Sequence, residues 1–369
     1  MPCCSHTAGE PRLRALPLDI TFEDTARQAV RLVTAARQAF TADLGLAARL
    51  QAQRTADEVL RWLWDRVAQP VLAELGLFPA PQEPTPEVPH IWWCLTGPMS
   101  LLPVPAAGDR TGDAPTAADG RQEGPPVRRS VLEYAVSSLA PTVGALVHAR
   151  TRVSPVPVPH PGPSAPGRGP LLVAVPDAGQ APAPEAAGSL DQAEAEARAL
   201  TTLLPGALPL IGPDATRDRV VEEIRRRGIA HFACHGHNHP NDPSQSRMML
   251  ADGPLTVLDV ARLQLPHATL AYLSACHTAA PGDWLPDESI HLGASLHLAG
   301  YRHVIGTLWP VDDQPARQLA EHFYAALIPR DGRGPEPDRA AHALRQAMLR
   351  LRRTTPSLVW AAYVHVGAV

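Results

Sequence analysis

Hydrophobic positions in this chain change their spacing twice. From Phe22 to Leu77, alanine, leucine, valine and arginine recur at three- and four-residue intervals, which predicts helix starting near Phe22. Pro70 lies inside that stretch and is expected to break or kink it, because its ring removes a backbone donor and crowds the preceding turn. Trp62 and Trp64 read as core-facing aromatics on this helix. No self-similar repeat of about 34 residues is present, so a tetratricopeptide array is not expected.

Proline- and glycine-rich stretches at 79–89, 104–127, 152–170 and 176–188 interrupt the pattern and read as loops. Between them, Ile91–Cys94, Leu101-Leu102 and Ser130–Tyr134 read as short strands, and 140–150 as a helix. From residue 170 the pattern becomes regular. Apolar runs at 171–175, 208–211, 229–234, 270–275, 303–308 and 358–366 read as strands. Helical stretches at 191–204, 216–227, 257–263, 289–299, 314–327 and 338–353 alternate with them, and 250–254 reads as a hairpin. Short, continuously apolar strands alternating with helices predict an α/β fold whose mostly parallel sheet is flanked by helices. In such sheets, ligand and catalytic groups collect beyond the carboxyl ends of the strands.

Two of these strands end in reactive side chains. Ile229-Ala-His-Phe-Ala-Cys-His-Gly236 ends with His235, and Leu270-Ala-Tyr-Leu-Ser-Ala-Cys276 ends with Cys276. A thiol becomes a competent nucleophile only as the thiolate, and a neighbouring imidazole can take its proton and later protonate the leaving amine. Backbone donors must also hold the developing oxyanion. Gly236, lacking a Cβ, lets its N–H approach closely, and the N–H of Cys276 is the natural second donor. His277 adjoins Cys276, but neighbours on a strand face opposite ways, so it is a poor base. Such chemistry needs neither metal nor cofactor.

The remaining composition narrows the setting. The 369 residues, 45% of them hydrophobic, suffice for a large core. A net charge of −4 offers no general attraction to nucleic acid or to an anionic membrane. All 33 basic residues are arginine, in keeping with codon bias in a GC-rich genome. The five cysteines, at 3, 4, 94, 234 and 276, show no framework spacing, so a reduced, cytoplasmic protein is expected. Residues 1–20 lack the apolar core of a signal peptide and read as a disordered tail, and no membrane-spanning run is found.

The motifs around His235 and Cys276 resemble the CHAT peptidases, bacterial relatives of caspases and separases. The resemblance is carried by His231-Phe-Ala-Cys-His-Gly236, Leu273-Ser-Ala-Cys-His-Thr278, Asp287–Leu292, Leu298–Asp312 and Trp360–Val364, with Trp92–Leu102 and Arg247–Leu255 upstream. It runs from about residue 60 to the C-terminus. It implies a caspase-haemoglobinase fold over 79–369, with its core at 170–369, behind a helical segment at 21–78. It further implies a Cys276–His235 dyad acting on a protein substrate, in bacterial defence or cell death, with a sensor or regulator protein supplied in trans. The Gln-Ala-Cys signature of caspases is replaced by Ser274-Ala-Cys276, so cleavage after Asp is not implied.

Acidic residues at 283, 287, 288, 312 and 313 follow the cysteine. One of them could line a specificity pocket for a basic substrate residue, and the rest read as solvated loop charge. Leu308–Asp313 resembles the separase segment that carries such a carboxylate, so Asp313 ranks first, with Asp312 and Asp287 behind it. Trp309 reads either as a wall of that pocket or as core. Two other readings stay open. His231, His235, His237 and His239 crowd one segment in the manner of a zinc hydrolase, although Cys276 would then be unexplained. Alternatively, the fold serves as a catalytically silent interaction module.

Overall fold

Thr21 sets the first helix: its hydroxyl accepts the Asp24 N–H at 3.0 Å, and α1 runs from Phe22 to Ala39. Helix α2 (Leu46–Leu63) follows Gly45 and packs against α1. Alanines at 29, 35 and 36 on α1 and at 52 and 56 on α2 are buried, so the backbones approach closely, while Leu32, Val59, Leu60 and Leu63 fill the core. Arg31 pairs with Glu58 across the two helices. The computed structural model describes residues 2–5, 12–40, 45–79, 88–109, 129–140, 169–176, 190, 192–237, 246–274, 296–297, 299–329, 331–332 and 334–367.

Pro70 does not interrupt the helical run as expected. A π-helical turn at Trp64–Ala68 precedes it, and the Gln69 N–H reaches the Trp64 carbonyl. Pro70 then stands at the start of the helix Gln69–Glu74, directly after the wider π turn that accommodates its ring. The interruption falls between α1 and α2 instead. Trp64 is buried against Phe78 at 5.6 Å and Tyr134 at 5.8 Å, whereas Trp62 is half-buried. Arg61 Nε lies 3.1 Å from Asp109.

Those contacts explain the first of two compact units, Met1–Ile91 with Leu102–Ser137; the second is Trp92–Leu101 with Ser138–Val369. Among the described residues, 102–109 and 129–137 are thus grouped with the helical segment. The expected disordered tail also contains structure. Pro2–Ser5 pairs antiparallel with Arg12–Ala15, Arg14 binds Glu74 at 2.8 Å and Asp19 binds Arg66.

Three predicted strands fold otherwise. Gly97–Leu101 is a 3-10 helix, where Leu101-Leu102 suggested a strand. Ser130–Tyr134 becomes the helical turn Val131–Tyr134, with the Ser130 hydroxyl bound to the Glu133 carboxylate. This Ser-x-x-Glu spacing is a helix-start signal that outweighed the apolar composition. The 358–366 run divides into a helical turn, Ser357–Trp360, and a strand, because Pro356 pre-sets the entry to the turn. The expected helices at 140–150 and 289–299 lie almost wholly outside the described residues.

The second unit is built on an eight-stranded sheet. Its strands are β1 (His90–Trp93), β2 (Val136–Leu139), β3 (Leu171–Ala174), β4 (Leu208–Ile211), β5 (Ile229–Ala233), β9 (Leu270–Leu273), β10 (His303–Thr307) and β11 (Tyr363–Gly367). A separate three-stranded sheet joins β6 (Gly236–His237), β7 (Arg247–Leu250) and β8 (Gly253–Thr256). The order in the main sheet is β1-β2-β11-β10-β9-β5-β3-β4. Strands β4, β3, β5, β9 and β10 run parallel, and β11 returns antiparallel to β10. Every residue of β3, β5, β9 and β11 is buried, as a sheet covered on both faces requires. Helices α3 (Ala193–Leu203), α4 (Arg217–Ile224), α5 (Asp313–Leu327) and α6 (Ala340–Leu351) flank it, with α5 packed on α3 and on α6.

Polar groups buried in the sheet find one another. Ser138 Oγ lies 2.6 Å from His365 Nδ1, His365 Nε2 lies 3.1 Å from His303 Nδ1, and His303 Nε2 lies 3.4 Å from Asp338. A tautomer in which each ring donates from Nε2 matches this chain from the Ser138 hydroxyl to the carboxylate. Gly300 opens the turn into β10 at φ +128°, and a Cβ there would stand 2.2 Å from the Leu265 carbonyl oxygen. Gly300→Ala is therefore expected to destabilise the second unit by about 2 kcal/mol or more, measured as a lowered urea midpoint. An unchanged midpoint would show that the turn relaxes freely.

Candidate active site

The register of three neighbouring parallel strands positions the site. Leu270 of β9 pairs with Ile229 of β5 on one side and with His303 of β10 on the other, so all three carboxyl ends share one edge. Beyond β5 come Cys234 and His235, both buried. The His235 carbonyl accepts the Met249 N–H at 2.8 Å, and Gly236 pairs with Met248. In an antiparallel ladder, the pair next to a hydrogen-bonded pair is non-hydrogen-bonded. The Gly236 N–H therefore points away from β7.

On the adjacent strand, Ser274 is the last described residue before the cysteine. Its N–H donates to the Phe232 carbonyl of β5 at 2.9 Å, and its hydroxyl donates to Glu196 Oε1 at 2.6 Å. The chain thus leaves β9 beside the end of β5, two residues ahead of Cys276. Cys276 itself and Asp287, with Asp283 and Glu288, lie outside the described residues.

The third carboxyl end, that of β10, leads into 308–313. Trp309 is buried, and its indole N–H donates to the Leu358 carbonyl at 2.7 Å. Asp312 is the N-cap of α5 and is exposed; Asp313 opens that helix and is partly exposed. The positive end of a helix dipole favours ionised carboxylates at both positions.

Beneath this edge lies a buried polar group that sequence reasoning missed. Glu196 on α3 is 2% exposed, although three neighbours on its helix face, Ala193, Ala197 and Leu200, are core residues. A charged residue on an apolar stripe was the available signal. Besides the Ser274 hydroxyl, His231 Nε2 stands 3.0 Å from Glu196 Oε1, an electrostatic contact without hydrogen-bond alignment. The His231 ring stacks on Tyr272 at 4.9 Å, and its Nδ1 lies 3.3 Å from the Tyr324 hydroxyl. Burial first, then Tyr363, Glu196 and Tyr324 near Tyr272, raises the Tyr272 phenol well above its ordinary range. Burial, then Glu196, does the same for Tyr324. Both remain neutral phenols.

This arrangement commits His231 to the core, away from the zinc-like reading of the histidine cluster. His239 and the side chain of His237 lie outside the description. Among the described residues, no group of three or more His, Cys, Asp or Glu is placed to hold a metal ion. Of the other cysteines, Cys94 is partly exposed just past β1, and Cys234 is buried. Among the described residues, no helix is long and apolar enough to cross a membrane.

The mostly parallel eight-stranded sheet with flanking helices is a caspase-like fold. The chain belongs to the CHAT domain family, whose model matches residues 57–368. Among solved structures it is similar to separase of Saccharomyces cerevisiae, in complex with securin, with a TM-score of 0.59 and 12% identity. That match covers 96% of this chain and 28% of the separase chain, so this chain spans little more than a quarter of its length. A more distant likeness is to gingipain R, an Arg-specific cysteine proteinase, at a TM-score of 0.38 and 8% identity, covering 96% of this chain and 79% of that one. At 12% identity the likeness to separase is one of fold alone. No curated protein matches the sequence.

Trp309→Phe keeps an aromatic six-membered ring but removes the pyrrole half of the indole and with it the bond to Leu358. It is expected to cost about 1 to 2 kcal/mol, because the Leu358 carbonyl is then left without this donor. Chemical denaturation of the purified variant measures it, and a cost near zero would mean that the indole N–H does not anchor 308–313.

Proposed function

We propose that this protein is a cysteine endopeptidase in which Cys276 is the nucleophile and His235 its acid–base partner. One observation carries the reading: β5 and β9 are adjacent and parallel, His235 follows the first, and Ser274, two residues before Cys276, ends the second. The Cys276 thiolate attacks the carbonyl carbon of the scissile peptide bond. The resulting oxyanion is held by the N–H groups of Gly236 and Cys276. Collapse breaks the C–N bond, and the amine leaves with the proton carried by the His235 imidazolium. The thioester is then hydrolysed by water, which gives a proton to His235; the carboxylic acid departs and the thiol is regenerated.

The substrate residue before the cut is basic in this reading. Asp313 and Asp312 follow the carboxyl end of β10, on the edge shared with His235, and a carboxylate there suits the two-pronged guanidinium of Arg. Asp287 is the further candidate from sequence, and Trp309 supports the 308–313 segment from below. A regulator in trans also fits this proposal, since the separase of similar fold was solved in complex with securin. A role in bacterial defence or regulated cell death rests on the CHAT family resemblance. A catalytically silent interaction module is the competing outcome.

An Arg chloromethylketone read by intact mass tests the dyad. The wild type is expected to take one adduct on Cys276; Cys276→Ala takes none, and His235→Ala reacts about a hundredfold more slowly. Absence of an adduct from folded protein, even with non-basic probes, would favour the silent module. For the pocket, Asp313→Ala is expected to lower kcat/KM on Arg peptides tenfold or more, at about 1.4 kcal/mol per factor of ten. Iodoacetamide labelling of Cys276 should stay unchanged. Undiminished cleavage after Arg in that variant would remove Asp313 from the pocket.

A further inference from the structure

We propose that Glu196 is a positioning residue for the nucleophile: by accepting the Ser274 hydroxyl, it fixes the point from which the chain leaves β9 for Cys276. The inference rests on the reading of Cys276 as the nucleophile and assigns a task to a carboxylate that the dyad does not use.

Burying a carboxylate this completely is unfavourable unless it is paired or hydrogen-bonded. Nothing in the packing of α3 requires a charge there, since Ala193, Ala197 and Leu200 already supply its apolar face. What the carboxylate does make is one short bond to a residue 78 positions away. Ser274 is thereby held at two points, by its N–H on the Phe232 carbonyl of β5 and by its hydroxyl on α3. The residue two before it, Tyr272, is stacked on His231, which stands beside the same carboxylate and lies four positions ahead of His235. One buried group therefore touches both strands that lead to the dyad.

The chemical need is geometric. A thiol and an imidazole exchange a proton only within hydrogen-bond reach, and a displacement of about 1 Å at a reacting centre costs on the order of a hundredfold in rate. Two residues of freely hinged backbone would allow more than that. A strand end pinned to a neighbouring strand and to a helix removes that freedom at Ser274, the start of the path to the thiol. The Ser274 side chain is fully buried and two residues short of the thiol, so its hydroxyl acts through the backbone and not on the substrate.

The test is a double-mutant cycle on the full chain, with Ser274→Ala, Glu196→Leu and the pair combined, plus Glu196→Gln as the conservative variant. Gln keeps an acceptor oxygen for the hydroxyl; the double variant removes both ends of the Ser274–Glu196 bond together, so neither end is left buried alone, and only His231 Nε2 loses its carboxylate neighbour. Two readouts are used: the iodoacetamide rate of Cys276 at pH 7, mapped by peptide mass against Cys94 as an internal standard, and kcat separately from KM on an Arg peptide. Each single loss of the contact is expected to slow Cys276 by about tenfold or more and to lower kcat with KM little changed. The double variant should be no slower than either single one, and Gln should stay within about threefold of wild type. If the thermal midpoint falls while the Cys276 rate and kcat stay within twofold of wild type, the contact is structural only and the proposal is overturned. It is equally overturned if the two single losses multiply in the double variant, because the residues then act independently. Wild-type Cys276 reacting no faster than Cys94 would instead defeat the nucleophile assignment itself, a result distinct from either of these.

Discussion

The parallel pairing of β9 with β5 on one side and β10 on the other is the constraint from which the rest of the second unit follows. Parallel neighbours in register must end on the same edge, and here three consecutive strands in space do so although long stretches of chain separate them in sequence. His235, the Ser274 exit and the 308–313 segment are brought together by that geometry and by no local preference of their own. The antiparallel return of β11 beside β10 closes the arrangement, and the helical turn before it, Ser357–Trp360, lends the Leu358 carbonyl to Trp309.

A sheet covered on both faces offers little water to polar side chains, so those inside it are favoured where protein partners lie within reach, although the buried Tyr272 hydroxyl finds none among the described residues. Two such groupings result. Ser138, His365, His303 and Asp338 lead from the sheet interior to an exposed carboxylate. Glu196, Ser274, His231 and Tyr324 lie beneath the edge that bears His235. The second grouping links a helix to both strands of the candidate dyad, and for that reason a residue remote from the substrate can matter to the chemistry.

Much of the second unit was legible because its signals are local. Short apolar runs bounded by proline, glycine or charge located the strands at 171–174, 208–211, 229–233, 270–273 and 303–307 to within a residue or two of their observed ends. Errors arose where two local signals competed. At Ser130–Tyr134 a side-chain hydrogen bond to Glu133 favoured a helical turn over an apolar strand. At Pro70 a π turn accommodated the ring that a regular helix would have rejected. The grouping of Tyr134 with the N-terminal helices was illegible for a different reason. Tyr134 packs on Trp64 and Phe78, and a contact over that separation leaves no periodic trace in the chain.

By itself, the sequence determined which residues are candidates for a reactive pair. A thiol and an imidazole at the ends of two apolar runs, set in motifs shared with one family, are properties of residue type and order. Tertiary structure alone decided that those two runs are adjacent and parallel, that Asp312 and Asp313 stand on the same edge, and that Glu196 is a buried anchor instead of a solvated helix charge. The difference is physical. Nucleophilicity and strand propensity reside in single side chains and their neighbours, whereas adjacency, burial and the partner of a buried charge exist only once distant segments have packed.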